Sequence, residues 1–152
     1  MAYDKYYDFG TVTGAGDFQH ENFDLLGNSL GKVDYIDRKV GNARDGLYED
    51  NLARIVVIPT GTAPTGTFIV TLQECDTAAG NYTDSVSRTF NASLVTKASM
   101  IGLKCVMSLP AYHKQFLKLS VKAGSDGSVA GCTFIGYVDI GPKDEYSEAV
   151  GM

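Results

Sequence analysis

The clearest strand pattern in the chain is Lys114-Gln-Phe-Leu-Lys-Leu-Ser-Val-Lys122. In this stretch Leu117, Leu119 and Val121 alternate with polar residues, and alternation is typical of a β-strand that buries one face and exposes the other. An amphipathic helix would instead space its apolar residues three or four positions apart. The stretch therefore predicts a strand of an antiparallel sheet.

Further strands are predicted on both sides of this stretch. The runs Ala53–Thr60 and Thr67–Cys75 are joined by Gly61–Gly66, which has the composition of a turn, and together they predict a β-hairpin. Other runs alternate or are rich in β-branched and aromatic residues, the weakest of them being the first: Val86–Val95, Ile101–Leu109 and Val129–Ile140.

Long loops and the absence of strand–helix alternation predict an all-β fold, an antiparallel jelly roll or β-sandwich with a loop-rich N-terminal extension. The best helix candidates are short, Phe23–Leu30 and Ala43–Asn51. A chain of 152 residues, 44% of them hydrophobic, is expected to form one core without disulfides or metal. We divide it into an N-terminal segment (1–50), a body (51–141) and a mobile C-terminal tail (142–152).

The N-terminal segment differs from the body in charge and in aromatic content. Residues 1–50 carry ten acidic and five basic residues, whereas residues 51–152 carry eight of each, so the segment holds the whole net charge of −5. It also holds eight of the sixteen aromatic residues, without sustained periodicity. Two interpretations stay open, a loop-rich acidic face of the same domain and an arm that docks on a partner.

Residues that could support catalysis or metal binding are few. His20 and His113 lie near no recognisable Ser or Cys nucleophile. The three cysteines, Cys75, Cys105 and Cys132, have neither a C-x-x-C motif nor a zinc-like spacing with histidine, and we expect them to be small buried hydrophobic residues. The sequence thus predicts a protein that is not an enzyme and that has no cofactor and no metal site.

Charge and hydropathy also exclude classes of partner. An acidic chain with a pI near 4.9 is a poor binder of nucleic acid. No apolar run approaches the roughly 18 residues of a membrane-spanning helix, and the first residues contain no apolar stretch typical of a secretion signal. Unpaired cysteines suit a reducing cytoplasm, so we expect the protein to fold in a cell's cytoplasm.

Four segments, taken in order, carry a resemblance to a known family: Ala53–Thr60, Leu72–Asp84, Leu109–Val121 and Val129–Ile140. Over about residues 50–140 the chain resembles the jelly-roll cement, or decoration, proteins of tailed bacteriophage capsids. The resemblance implies a small virion protein without a cofactor that forms a homotrimer, binds neighbouring subunits of the major capsid protein and is assembled in the host cytoplasm. Neither nucleic acid nor membrane is an expected partner.

Aromatic side chains in the N-terminal segment are the candidates for contacts with the capsid or with other subunits. Tyrosine offers a large contact area at a low cost in conformational entropy, which favours it at interfaces. The alternative is that these rings pack on the protein's own sheet. The candidate contact residues are Tyr3, Tyr6, Tyr7, Phe9, Tyr35 and Tyr48.

Other functions remain open at the level of sequence. A discoidin-like carbohydrate-binding module would need a stacking platform, for which the body offers Tyr82, Tyr112 and Tyr137 but no tryptophan. A structural domain of a phage tail or of a receptor-binding protein is the second alternative. A small structural domain with an unknown partner is the third.

Overall fold

Alternation of apolar and polar residues is realised as strands along most of the chain. The structure is a computed structural model that describes residues 8–23, 26, 28–37, 54–94, 100–110 and 113–139. In chain order the strands are β1 (Asp8–Thr13), β2 (Gly16–Asp17), β3 (His20–Phe23), β4 (Ser29–Val33), β5 (Ile36–Asp37), β6 (Arg54–Gly61), β7 (Thr67–Cys75), β8 (Thr83–Asn91), β9 (Cys105–Ser108), β10 (Phe116–Ala123) and β11 (Cys132–Asp139).

Two antiparallel sheets pack as a β-sandwich, which confirms the predicted all-β fold. Sheet I has the order β1-β11-β6-β9, and sheet II has the order β2-β10-β7-β8, with β5 also pairing with β10. The pairings are nested, because β1 pairs with β11, β2 with β10, β6 with β9 and β7 with β8. Nested pairing of eight strands across two sheets is the strand order of a jelly roll. Strands β3 and β4 form a separate two-stranded sheet.

The predicted hairpin between Ala53–Thr60 and Thr67–Cys75 is wrong, although both strands exist. β6 lies in sheet I between β11 and β9, whereas β7 lies in sheet II between β10 and β8. The connecting turn carries the chain from one sheet to the other, and its Thr65 pairs with Ser128 of the β10–β11 connection. Composition identified the turn correctly, but it carries no information on whether the next strand pairs with the previous one.

Other predicted elements differ from the structure in their bounds or their type. The candidate strand Val86–Val95, for example, begins earlier, at Thr83. The run Ile101–Leu109 is a strand only from Cys105, because a turn closed by the Leu103 amide on the Met100 carbonyl precedes it. Ile101 lies in that turn and is 39% exposed. The helix candidate Phe23–Leu30 lies where β3 ends and β4 begins, so its described residues belong to a β-hairpin. The candidate Ala43–Asn51 lies outside the described residues.

The core lies between the two sheets. As the alternation predicts, Leu117, Leu119 and Val121 of β10 are buried. The ring of Phe68 lies 5.6 Å, between centroids, from both Phe90 and Phe134, so aromatic packing joins the sheets at one end. All three cysteines are buried and free, as expected from the sequence.

Three short strands of the N-terminal segment extend the two main sheets. β1 pairs with β11 of sheet I, while β2 and β5 pair with β10 of sheet II. Phe9, Phe18 and Ile36 are core residues. Gly136 has no side chain, and the Phe18 ring packs in the space that this leaves. A Cβ at Gly136 would lie only 3.0 Å from Cε2 of Phe18. Short strands without a clear period are ordered here because longer strands supply their hydrogen-bond partners.

Phe9 is therefore removed from the candidate contact residues. Its ring is 1% exposed within the core and is not available to a partner surface. The bulge at Asp8 and Gly10 turns it inward, where it contributes to the packing between the sheets.

No helix in the described part of the chain is long and apolar enough to cross a membrane.

Candidate functional site

The two outer faces of the sandwich have opposite character. On sheet I the outward residues Val56, Val106 and Tyr137 form a second apolar cluster, and they are buried even though they point away from the main core. At the border of this cluster the Arg54 guanidinium lies 3.9 Å from an Asp139 carboxylate oxygen, and both side chains are nearly buried. The centre of this outer face is thus buried within a single chain, while Ile58 and Ile135 beside it are partly exposed.

The outer face of sheet II is partly exposed and mixed in polarity. Along β10 the outward positions, which include Phe116, Lys118 and Ser120, are half-buried, while the residues between them are in the core. Two tyrosines from other segments, Tyr35 and Tyr82, contact this row. We refer to Tyr35, Tyr82, Phe116 and Lys118 as the aromatic–lysine cluster.

Lys118 occupies the centre of the cluster. Its Nζ lies 4.4 Å from the centroid of the Tyr82 ring, a cation–π geometry. The same Nζ lies 3.2 Å from Oδ2 of Asp34 and 3.9 Å from Oδ2 of Asp17. An aromatic face and two carboxylates therefore hold one ammonium group, and they fix two N-terminal residues to the body.

Tyr82 is held at both ends of its side chain. Its hydroxyl donates a hydrogen bond of 2.9 Å to the carbonyl oxygen of Ala78, and Lys118 lies over its ring. Burial, followed by neighbouring groups that include Cys75 and Asp34, raises the pKa of Tyr82 to about 12. The phenol stays protonated at neutral pH and acts as a hydrogen-bond donor.

Tyr35 is the one predicted contact residue that the structure places in this cluster. Its ring meets Phe116 edge to face, with 5.5 Å between centroids and 81° between planes. Tyr35 is half-buried, so part of the ring faces outward. The remaining predicted contact residues lie outside the described residues: Tyr3, Tyr6, Tyr7 and Tyr48.

Two members of the cluster are residues that the sequence analysis missed. Phe116 and Lys118 occupy the outward positions of the alternating stretch that defines β10, so their direction is readable from the pattern. The sequence does not show which residues of other segments lie beside this stretch, so the contacts with Tyr35 and Tyr82 could not be predicted from it.

Carboxylates surround the cluster. Asp76 is exposed and lies 3.8 Å from Nζ of Lys114, and exposed Asp84 accepts a 3.0 Å hydrogen bond from Nε2 of Gln73. Gln115 donates a 2.8 Å hydrogen bond to Asp37. Around the cluster five aspartates face three lysines: Asp17, Asp34, Asp37, Asp76 and Asp84 against Lys114, Lys118 and Lys122. The outer face of sheet II therefore carries more acidic than basic residues around an aromatic centre.

The tyrosines considered for sugar stacking are not arranged as a platform. Tyr137, on the outer face of sheet I, is only 3% exposed, and Lys118 covers the ring of Tyr82. Tyr112 lies outside the described residues.

Within the described part of the chain, no three His, Cys, Asp or Glu residues come together as a metal site. Burial raises the pKa of Cys105 to about 12, which the nearby Arg88 offsets in part. Burial lowers the pKa of His20, against an opposing effect of Asp8. These environments disfavour the thiolate of Cys105 and the imidazolium of His20.

No protein-family model matches this sequence, and a search of curated proteins finds no significant match.

Proposed function

We propose that this protein is a capsid decoration protein, which binds the outer surface of a phage capsid as a homotrimer and stabilises it. One observation carries the proposal. The four segments that resemble the cement proteins correspond in the structure to β6, the end of β7, β10 and β11. These are the central strands of the two sheets, so the resemblance covers the frame of the fold and not a peripheral element.

The surface of the molecule is consistent with such a role. A decoration protein needs a rigid body and a face for contacts, because many copies on a lattice add their modest affinities through avidity. Among the described residues, the outer face of sheet II has an aromatic centre and a charged border, a composition that suits an interface. The remaining N-terminal aromatics, Tyr3, Tyr6 and Tyr7, are further candidates for contacts.

The test is direct binding to shells. Undecorated shells would be assembled from the major capsid protein of the genome that carries this gene, mixed with the purified protein and sedimented, and the occupancy would be measured by cryo-electron microscopy. We expect saturable binding at a fixed ratio, with threefold-symmetric density on the outer surface. An unrelated β-sandwich of similar size and net charge is the control. If the protein does not sediment with the shells above this control, the proposal is wrong.

A further inference from the structure

We propose that the outer face of sheet II is the docking surface of this protein, and that it binds a protein surface bearing arginine side chains. The inference rests on the proposed function, because it names the face and the chemistry of the capsid contact. It is argued from the described residues of that face alone.

The first argument is that the rings and carboxylates of this face are accessible. Phe116 and Tyr35 are half-buried and the side chain of Asp76 is 57% exposed, so all three can be reached from solvent. On the outer face of sheet I, Val56, Val106 and Tyr137 are buried in the single chain, and Ile58 and Ile135 beside them are partly exposed. The outer face of sheet II therefore offers a partner exposed carboxylates beside half-buried aromatic rings.

The second argument is charge. Carboxylates outnumber ammonium groups on this face, and of the three lysines Lys118 is already engaged by Asp34 and Asp17. Asp76 and Asp84 are exposed at one end of the face, where their contacts to Lys114 and Gln73 are near the solvent. The complementary surface is positively charged.

The third argument is that the face already binds a cation of its own. The Lys118 ammonium lies 4.4 Å from the Tyr82 ring centroid and 3.2 Å from the Asp34 carboxylate, so an aromatic ring and an acid act together there. The neighbouring pair Tyr35 and Phe116 presents further aromatic surface beside the carboxylates. A guanidinium suits this surface better than an ammonium does, because it is planar, less strongly hydrated and able to stack while pairing with a carboxylate.

The test compares two variants that change the net charge equally. Asp76→Ser with Asp84→Ser removes two negative charges from the proposed face, which changes the net charge by +2. Ser125→Lys with Ala130→Lys adds two positive charges at exposed positions in the connection between β10 and β11. We expect the first variant to bind shells at least tenfold more weakly than the wild type, with an unchanged melting temperature, and the second to bind within twofold of it. Equal binding by the wild type and the first variant would overturn the proposed face while leaving the decoration function intact.

A second measurement is independent of any capsid. The ¹⁵N-labelled protein is titrated with a hexa-arginine peptide and, separately, with a hexa-lysine peptide. We expect chemical-shift changes centred on Tyr35, Phe116 and Asp84, small changes near Ser125, and a several-fold preference for arginine. If the protein fails to bind shells but gives this map, the decoration function is wrong and the arginine-binding face stands. Shifts spread evenly over all acidic residues, or equal binding of both peptides, would contradict the arginine face.

Discussion

Nη1 of Arg88 lies 2.6 Å from the main-chain oxygen of Val106, and this hydrogen bond joins the edge strand β8 of sheet II to the edge strand β9 of sheet I. Arg88 is paired in register with the core residue Val70, so its side chain starts on the inward face. Between the two sheets, Cζ of the guanidinium lies 5.3 Å from the centroid of the Phe90 ring. The two sheets are thus joined at these edge strands by the Arg88 guanidinium, which lies over the Phe90 ring and donates a hydrogen bond to the Val106 carbonyl.

Replacing Arg88 by Met tests this bridge. The variant keeps much of the apolar contact with Phe90 but leaves the Val106 carbonyl without its charged donor, so we expect a loss of about 1–3 kcal/mol in the free energy of unfolding. Urea denaturation followed by circular dichroism measures it. Arg88→Lys, which keeps the charge but not the planar group, should fall between Met and the wild type. An unchanged unfolding midpoint for Arg88→Met would show that the bridge does not stabilise the fold.

Gly136→Ala tests how the N-terminal segment is attached. The added Cβ would lie 2.9 Å from Cδ2 of Leu119 and 3.0 Å from Cε2 of Phe18, so it must displace buried groups. We expect a destabilisation of about 1–3 kcal/mol from overpacking, measured as a lower melting temperature. The double variant Gly136→Ala with Phe18→Leu should lose less than the sum of the two single changes, because the smaller side chain leaves room for the methyl group. Strict additivity would contradict this contact.

Deleting residues 2–7 tests the proposed contact role of the first tyrosines. β1 begins at Asp8 and Phe9 is a core residue, so this deletion removes no described residue. We expect an unchanged melting temperature and reduced occupancy on shells. Deleting residues 2–9 is the matched control, because it also removes the Phe9 ring and should destabilise the protein by about 3–5 kcal/mol. If the shorter deletion decorates shells at wild-type occupancy, these tyrosines do not contribute to binding.

Cys105 should be chemically inert in the folded protein. With a pKa of about 12, only roughly one molecule in ten thousand carries the thiolate at pH 8, and the thiolate is the nucleophile. We expect alkylation by iodoacetamide, followed by peptide mass spectrometry, to leave Cys105 unmodified until the protein is unfolded in urea. Equal labelling rates with and without urea would contradict the burial of this thiol.

His20 should make the stability depend on pH below neutrality. Burial lowers the pKa of His20 from its ordinary 6.5 in the folded protein, so the unfolded chain takes up the proton first as the pH falls. Stability is therefore lost as the pH drops through 6.5, and this loss levels off below the pKa of the folded state. We expect His20→Gln to show a shallower decline between pH 7 and 5 than the wild type in thermal unfolding. Parallel curves for the two proteins would exclude His20 as the source.

Much of the candidate face can be read from the sequence and part of it cannot. The alternation in Lys114–Lys122 is enough to direct Phe116 and Lys118 outward, because the two faces of a strand follow from the local geometry of the backbone. That Tyr35 and Asp34 lie against them depends on β5 pairing with β10, a strand about eighty residues away. A two-residue strand has no pattern of its own and is defined only by the neighbour that supplies its hydrogen bonds.

The same division holds for the fold as a whole. Alternation and β-branched residues act within a few positions, and they were sufficient to identify β6, β7, β10 and β11 as strands and to assign the buried face of β10. Which strands are neighbours was decided by the tertiary structure. β6 pairs with β11, more than seventy residues away, rather than with β7 just beyond the turn, because two sheets bury more apolar surface against each other than one hairpin could.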